Sequence, residues 1–262
     1  MQGAEPILII PDWPAPAQVR AVSTERSYGW SEGDFRSCNF GVHVGDTSTA
    51  VATNRAVLTK TLGLTNQPCW LDQIHSTSVL DLDSYYRHRR EETIGTLPAA
   101  DGAVSSRVDR ACVVMTADCL PVLFCDNSGS CVGIAHAGWR GLASGVLPAV
   151  IASMGINPRD LMAWLGPAIS QSAYEVGREV REAFVGSDSG AAVCFEENES
   201  GRWQADLYGL ARRSLQSVGL QAIYGGNFCT YTESERFFSY RRANPCGRMA
   251  TLIWLASSEG DG

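Results

Sequence analysis

Two histidines and one cysteine are the residues of this chain whose chemistry is most informative. His75 lies in the block QIHS, Cys119 in TADCLPVLFCD and His136 in AHAGWRG, and the 262 residues include only four histidines. Imidazole and thiolate are the usual ligands of zinc, and three protein ligands that leave a fourth position for water are typical of a catalytic zinc site. The same residues could instead supply a cysteine nucleophile and a histidine base. Both interpretations predict an enzyme.

Short apolar runs are expected to position these side chains. Three runs rich in β-branched residues predict strands at 111–117, 120–125 and 131–137. The turn sequence at 126–130 predicts that the last two form a hairpin. Their nearly continuous apolar character predicts a sheet that is buried on both faces. Cys119 then lies at a strand junction, His136 precedes the turn GWRG, and His75 ends another strand.

Helical spacing of apolar residues alternates with the strands. It predicts four helices, at 49–62, 142–154, 175–184 and 206–218, and Pro148 is expected to kink or split the second. Further apolar runs predict strands at 161–165, 222–224 and 250–255, and weaker patterns predict strands at 71–75 and 79–82. The segment 187–201, rich in Ser, Gly and Glu, predicts a surface excursion. This mixture predicts an α+β fold of mixed α/β layers, in one domain over residues 1–262, with 1–20 as an irregular lead-in.

Composition limits the partners. The net charge is −7, and the basic run at 87–90 is followed at once by two glutamates, so neither nucleic acid nor an anionic membrane is an expected partner. The N-terminal apolar run is too short for a signal peptide, and no run approaches the roughly 20 apolar residues of a membrane helix. We therefore expect a cytoplasmic protein. Nine cysteines without a CxxC pattern predict mostly small buried residues, among them Cys112, Cys125, Cys131 and Cys194.

A glycine-flanked turn follows His136. Gly138, Trp139, Arg140 and Gly141 lead into the predicted helix, where free backbone N–H groups beside Arg140 could bind an anion. Arg140 is therefore our first candidate for a phosphate contact.

Six sequence blocks occur in a characteristic order. They are QIHS, ADGAVSS, TADCLPVLFCD, AHAGWRG, LGPAISQSAYEVG, and FFSYRR followed by GRMA. From about residue 21 to 255 the sequence resembles the YfiH family, which is also called the laccase-domain or polyphenol-oxidase family and has a branch called peptidoglycan editing factor. The resemblance implies a YfiH-like fold and places the family's metal ligands on His75, Cys119 and His136. The family block NLGxHVGD appears here as NFGVHVGD at 39–46.

The resemblance also implies an activity. It is the phosphorolysis of purine nucleosides, namely adenosine, inosine, guanosine and 5′-methylthioadenosine, with adenosine deamination as a second activity. Zinc is the expected cofactor, and copper is the alternative metal for the same site. Asn39, His43, Arg140 and Arg248 are expected to contact nucleoside or phosphate. We expect small-molecule partners only, and a monomer or weak homo-oligomer.

The sequence departs from the family pattern at three places. An Arg-Gly-Gly stretch is replaced by TERSYG at 24–29, in which Arg26 is the nearest substitute for the arginine. A Thr-Gly-Arg sequence reads CGR at 246–248, and Ala173 stands where a cysteine is common. The first departure affects an anion contact by an arginine, and the second removes one hydroxyl contact.

Other functions were weighed against this one. A multicopper oxidase needs several more histidines for its trinuclear cluster than the four present. The HxE and PCxxC signature of zinc deaminases is absent, so deamination would use the same three-ligand site. A cysteine amidase that edits peptidoglycan precursors, with Cys119 as nucleophile and His136 as base, stays the alternative. A metal-binding interaction module is less favoured, because such modules usually close their sites with four ligands.

Overall fold

A computed structural model describes residues 5–88, 96–108 and 110–257 of the chain. Its strands in chain order are β1 (Leu8–Ile9), β2 (Val19–Thr24), β3 (Val79–Asp81), β4 (Gly102–Ser105), β5 (Cys112–Thr116), β6 (Leu120–Asp126), β7 (Val132–Ala137), β8 (Leu161–Leu165), β9 (Glu175–Val176), β10 (Phe195–Glu197), β11 (Trp203–Ala205), β12 (Ala222–Gly225) and β13 (Met249–Leu255). Its α-helices are α1 (Ser48–Thr61), α2 (Leu82–His88), α3 (Trp139–Ser144), α4 (Val146–Met154), α5 (Arg178–Val185) and α6 (Leu207–Ser217).

The strands form three sheets. A four-stranded antiparallel sheet has the order β1-β2-β13-β5, and a six-stranded sheet has the order β12-β8-β6-β7-β4-β3. In the six-stranded sheet the outer pairs β12–β8 and β4–β3 are parallel and the inner pairs are antiparallel. A small sheet, β10-β11-β9, lies apart from these two. The fold is thus a single-domain α+β arrangement of mixed sheets and helices.

The two large sheets pack face to face, and helices cover their outer faces. Val114 of β5 and Leu123 of β6 belong to the apolar core between the sheets. The alternate residues Val113 and Val122 face away, toward α1 and toward α3, α4 and α6 respectively. Successive side chains of a strand point to opposite faces of the sheet, so β5 and β6 contribute apolar side chains both to the core between the sheets and to the cores beneath the helices. This confirms the predicted burial of the strands on both faces.

The helices and the hairpin largely follow the sequence. The hairpin of β6 and β7 forms with its turn at 127–131, and four cysteines expected in the core, Cys112, Cys125, Cys131 and Cys194, are buried. The helix predicted at 142–154 is split at Gly145, which has the left-handed φ of 94°. Pro148 falls in the first turn of α4, where backbone N–H groups have no acceptor within the helix, so a proline there costs no helical hydrogen bond.

Three segments differ from their predictions. The helix predicted from 175 begins at Arg178, because Glu175 and Val176 pair with β11 as a strand. The lead-in at 1–20 is partly regular, since β1 pairs with the end of β2; residues 1–4 lie outside the described residues. The excursion at 187–201 contains a 3₁₀-helix and β10, and it buries Phe195.

The strand predicted at 71–75 is also wrong. Within this segment only Asp72 forms an isolated bridge, to Ala99, and the backbone turns into the left-handed region at His75, with φ of 58°. The side chain of Gln73 replaces the missing ladder: its Nε2 donates to the carbonyl of Met115 at 2.9 Å, and its Oε1 accepts from the Met115 N–H at 2.8 Å. The segment is therefore fixed to β5 through one side-chain amide.

No helix within the described ranges is both long and apolar enough to cross a membrane.

Tyr208 on α6 ties together the loops that follow β8 and β12. Its hydroxyl accepts from the Ala168 N–H at 2.9 Å and lies 3.0 Å from the Gly166 carbonyl. We expect Tyr208→Phe to lower the free energy of unfolding by about 1–3 kcal/mol, because it leaves buried backbone groups without partners. Denaturant unfolding measures this, with Tyr231→Phe at an exposed position as the control. An unchanged midpoint for Tyr208→Phe would contradict this account.

Candidate metal centre

Each of the three predicted ligands comes from a different segment. Cys119 lies between β5 and β6, where the chain crosses from the four-stranded to the six-stranded sheet. His136 lies in β7 and faces Pro121 of the neighbouring β6. His75 projects from the irregular segment held by Gln73. The backbone before Cys119 is unusual, since Asp118 has a φ of 91°.

The three side chains meet at one point. One donor atom from each of His75, Cys119 and His136 lies within 4.8 Å of the others, and the two imidazole rings have centroids 4.9 Å apart. His136 is buried and Cys119 is half-buried, whereas His75 is exposed and opens the cluster to solvent. The structure thus brings together the three residues that the sequence singled out.

Gly138 has no side chain, and its absence leaves room for His75 and Cys119 to approach each other. A Cβ atom at this position would lie 2.9 Å from Cδ2 of His75 and 3.1 Å from Sγ of Cys119. Any other residue would therefore push the ligands apart. The glycine of the GWRG turn is needed for this close approach.

Asp101 was not assigned a role from the sequence, yet it positions both histidines. Its Oδ1 accepts from Nδ1 of His136 at 2.8 Å and from the His75 N–H at 3.0 Å. Its Oδ2 accepts from the N–H of Ser76 at 2.6 Å and from the Ser76 hydroxyl at 2.9 Å, and its carbonyl accepts from the His136 N–H at 2.7 Å. The side chain is completely buried. In the sequence, the feature that could have indicated this role is an acidic residue next to an apolar strand, in the block ADGAVSS.

The charges of the cluster reinforce one another. Burial raises the pKa of the Cys119 thiol, but the charge on His136 and hydrogen bonds from both histidines outweigh burial and lower it. Burial lowers the pKa of His136, but the Cys119 thiolate and Asp101 outweigh burial and raise it. Burial also raises the pKa of Asp101, and the hydrogen bonds from His136 and Ser76 more than reverse this. The surroundings of Cys119 therefore favour its thiolate form.

This donor set fits a metal ion. Zinc bonds of about 2.0 Å to nitrogen and 2.3 Å to sulfur, at tetrahedral angles, place two nitrogen donors and one sulfur donor about 3.3–3.5 Å apart. The observed cluster lies within 4.8 Å, so small side-chain movements close it. A histidine ligand that donates its second ring nitrogen to a carboxylate is the usual support for such a site. It is the one candidate metal-binding group of three or more residues among the described residues.

His43 and Asn39 were both predicted to contact nucleoside or phosphate. Burial lowers the pKa of His43, and so do the charges of Arg248, Arg55 and His136, whereas the charge of Asp72 raises it. His43 is thus within electrostatic range of both His136 and Arg248. Asn39 is fully buried, and its Oδ1 accepts from the N–H groups of Gly41 and Arg248, each at 2.9 Å. Its side chain thus shapes the loop, and its contact with nucleoside or phosphate stays a prediction.

Arg140 and Arg26 differ in their surroundings. Arg140 is exposed, and its guanidinium lies 4.4 Å from the Trp139 ring. Burial and the charge of Cys119 raise the pKa of the half-buried Tyr174, and the charge of Arg140 opposes this rise. Arg140 therefore lies within electrostatic range of Tyr174. Arg26 instead donates to the carbonyls of Arg36 and Ser234, so its guanidinium is used to hold its own loop.

Fold and site together define a single-domain α+β protein with a cluster of two imidazoles and one thiolate suited to metal binding. The family model described as multi-copper polyphenol oxidoreductase laccase matches residues 20–256. The chain belongs to this family, which is the YfiH family that the sequence resembles.

Named relatives are similar over nearly their whole length. The chain is 47% identical to a purine nucleoside phosphorylase of Pseudomonas aeruginosa, over 94% of this chain and 98% of the relative. It is 46% identical to the purine nucleoside phosphorylase YfiH of Escherichia coli, over 95% and 98%. A crystal structure of a Neisseria meningitidis protein superposes with a TM-score of 0.89 at 49% identity, covering 95% of this chain and 99% of that one. The crystal structure of YlmD from Geobacillus stearothermophilus gives 0.88 at 29% identity, covering 98% of each chain.

Asp101 generates a direct test of the cluster. We expect Asp101→Asn to weaken metal binding by about 10–100-fold, because the amide cannot hold His136 in the same way as a carboxylate. Competitive titration against a chelator of known affinity measures this. Asp126→Asn is the matched control, since Asp126 is also a buried carboxylate that accepts from hydroxyl and backbone donors, at the β6–β7 turn. Equal metal affinity in the two variants would contradict the assigned role.

Proposed function

We propose that the protein is a zinc-dependent purine nucleoside phosphorylase acting on adenosine, inosine, guanosine and 5′-methylthioadenosine. The observation that carries this proposal is the convergence of His75, Cys119 and His136 within 4.8 Å beside cationic side chains. The names of relatives 44–47% identical to the chain support it. We further propose a single cytoplasmic domain over residues 1–262, monomeric or weakly associated, without nucleic-acid or membrane partners.

The reaction exchanges one bond for another at the anomeric carbon of the ribose. A phosphate oxygen forms a bond to this carbon, the bond to the purine nitrogen breaks, and the base leaves with that electron pair and takes up a proton. The products are free purine and ribose 1-phosphate. Zinc, held by His75, Cys119 and His136, would supply Lewis acidity and lower the pKa of a bound water; copper is the alternative metal for these donors.

The chain's own residues position the reactants. Asp101 binds Nδ1 of His136 and the backbone N–H of His75, which leaves Nε2 of His136 for a metal ion and fixes the chain from which the His75 ring projects. His43, Arg140 and Arg248 are proposed to contact the nucleoside and phosphate. Adenosine deamination is proposed as a second activity of this site, in which water attacks the purine and ammonia leaves.

A cysteine amidase is the second candidate function, and one specific observation favours it. Asp101, His136 and Cys119 form a chain in which the carboxylate orients the imidazole and the imidazole interacts with the thiolate. This is the arrangement of a nucleophile, a base and an orienting group. Such an enzyme would cleave an amide in a peptidoglycan precursor. His75, which has no part in such a triad, favours the metal-dependent reaction.

The phosphorylase proposal predicts a product. Zinc-loaded protein given adenosine or inosine should release free base only when phosphate is present, with ribose 1-phosphate as the other product. His75→Ala should lose both bound zinc and turnover, and so should Cys119→Ala and His136→Ala. His88→Ala is the matched control, because His88 is exposed on α2 and lies 2.9 Å from the Ser84 carbonyl. Formation of free ribose at saturating phosphate would show a hydrolase instead.

The state of Cys119 separates the two candidate functions. A thiolate bound to zinc is shielded, so we expect slow alkylation of the metal-loaded protein and fast alkylation after chelation. Peptide mass spectrometry at Cys119 measures both rates, and Cys229, which lies outside the cluster, serves as the internal reference. Fast alkylation with metal bound, together with activity that survives chelation, would favour the amidase.

A further inference from the structure

Asp118 immediately precedes Cys119 and has an unusual backbone conformation. It lies in the short crossing from β5 to β6, and its φ is 91°, which a residue with a side chain rarely adopts. Within the described ranges, the non-glycine residues with a positive φ are Tyr28, His75 and Asp118. Two of these three carry or adjoin a donor atom of the metal cluster. Backbone of this kind persists only where its surroundings hold it in place.

Two donors hold the side chain of Asp118. The carboxylate is buried, Oδ1 accepts from the Thr230 hydroxyl, and Oδ2 accepts from the Arg241 N–H, each at 2.7 Å. Both donors belong to the irregular segment 226–248, which connects β12 to β13. Each oxygen of the carboxylate thus binds a part of the chain that is 112 or 123 residues away in the sequence.

The backbone of Asp118 completes a ring of hydrogen bonds. Its carbonyl accepts from the Ile169 N–H at 3.0 Å. The carbonyl of Ala168, the preceding residue, accepts from the Thr230 N–H at 3.0 Å. The ring therefore runs from the Asp118 side chain through Thr230 and back to the Asp118 carbonyl. All three supporting residues are completely buried, so the main chain and the side chain of Asp118 are fixed against the same rigid support.

The second donor is also fixed. The Arg241 guanidinium donates through Nη1 to the Glu175 carbonyl at 2.7 Å and lies 5.3 Å from the centre of the Tyr174 ring. Arg241 is thus bound at both ends, through its backbone to Asp118 and through its side chain to the first residue of β9. The N–H group that binds Asp118 therefore has a defined position.

The position of Cys119 follows from this support. The Asp118 carbonyl belongs to the planar peptide unit that carries the Cys119 N–H, so the hydrogen bond to this carbonyl fixes the plane from which Cys119 begins. The thiol has little room for displacement, because a Cβ at Gly138 would lie only 3.1 Å from its Sγ. A change of φ at Asp118 would therefore move the thiol relative to both imidazoles.

We propose that Asp118 is a positioning residue for Cys119. Its carboxylate, held by Thr230 and Arg241, keeps the backbone conformation that directs the thiol toward the two imidazoles. Asp118 acts on the cluster through Cys119, and it supports the sulfur donor as Asp101 supports the nitrogen donors. The inference rests on the proposed metal site, but the position of the thiol can be measured without a metal.

Cobalt substitution tests the effect on the sulfur donor. Cobalt(II) bound by a thiolate has a sulfur-to-metal charge-transfer absorption band, which reports the bond to Cys119 rather than folding. We expect Asp118→Gly, which tolerates the positive φ but lacks the carboxylate, to weaken cobalt binding by about tenfold or more and to lower this band. Asp118→Asn should recover part of the affinity, because its amide can accept from the Arg241 N–H and donate to the Thr230 hydroxyl. A folded Asp118→Gly protein with parental affinity and band overturns the proposal.

Thr230→Val tests the same support without a change at Asp118. We expect cobalt affinity to fall by about threefold to tenfold, the equivalent of one lost neutral hydrogen bond, and the charge-transfer band to fall with it. Thr251→Val is the matched control, because Thr251 is also completely buried and its hydroxyl lies 2.8 Å from that of Ser23, within the four-stranded sheet. Tm is measured for both variants. Equal cobalt affinity and equal bands in the two would show that Thr230 supports folding alone, and the proposal would be wrong.

A metal-free measurement separates this inference from the proposed function. In crystal structures without metal, we expect the donor atoms of His75, Cys119 and His136 to lie within 4.8 Å of one another in the parent, and Sγ of Cys119 to leave this cluster in Asp118→Gly. Thr230→Val is used if the glycine variant does not fold. An unchanged Sγ position rejects the positioning role, whether or not the parent binds metal. A parent that binds neither zinc nor cobalt contradicts the zinc-dependent function, and the position of Sγ still decides the role of Asp118.

Discussion

The carboxylate of Asp101 is the interaction on which the rest of the site depends. It fixes the ring of His136, and it also holds the backbone at His75 and Ser76, where the chain has left the regular strand geometry. One fully buried carboxylate therefore fixes the ring of His136 relative to the backbone that carries His75. The left-handed backbone at His75 is stabilised by hydrogen bonds that converge on this carboxylate. The third donor, Cys119, follows Asp118, whose carboxylate accepts from the Thr230 hydroxyl and from the Arg241 N–H, each at 2.7 Å.

The sequence predicted the elements better than the contacts between them. Apolar runs identified β5, β6 and β7, since strands buried on both faces leave a clear pattern. The segment at 71–75 could not be recognised, because a side-chain amide, that of Gln73, replaces its backbone pairing. Asp101 was also missed, since an acidic residue beside a strand looks the same in a sequence whether it orients a ligand or faces water. Physical convergence of three distant segments requires tertiary structure.

The arginines show why residue type alone identifies a binding group poorly. Arg26 is the nearest substitute for a family arginine, yet its guanidinium donates to the carbonyls of Arg36 and Ser234. The guanidinium of Arg242 likewise donates to backbone carbonyls, those of Thr230, Tyr231 and Phe237. Arg55, on α1, is buried, and the Phe40 carbonyl is the one backbone acceptor its guanidinium has among the described residues. What distinguishes these side chains is the number of donors that the protein itself leaves unsatisfied, which only coordinates reveal. The same comparison separates Asn39, whose polar atoms are all used, from His43.

The position of β13 has a consequence for the order in which this protein assembles. This strand is the last in the chain, yet it lies inside the four-stranded sheet, between β2 and β5. During synthesis, β2 and β5 each keep an unpaired edge until β13, more than a hundred residues later in the chain, has been made. Contacts of such separation slow folding and expose unpaired edges to other chains. We therefore expect the nascent protein to depend on chaperones until synthesis reaches β13, and deletions that remove β13 to aggregate.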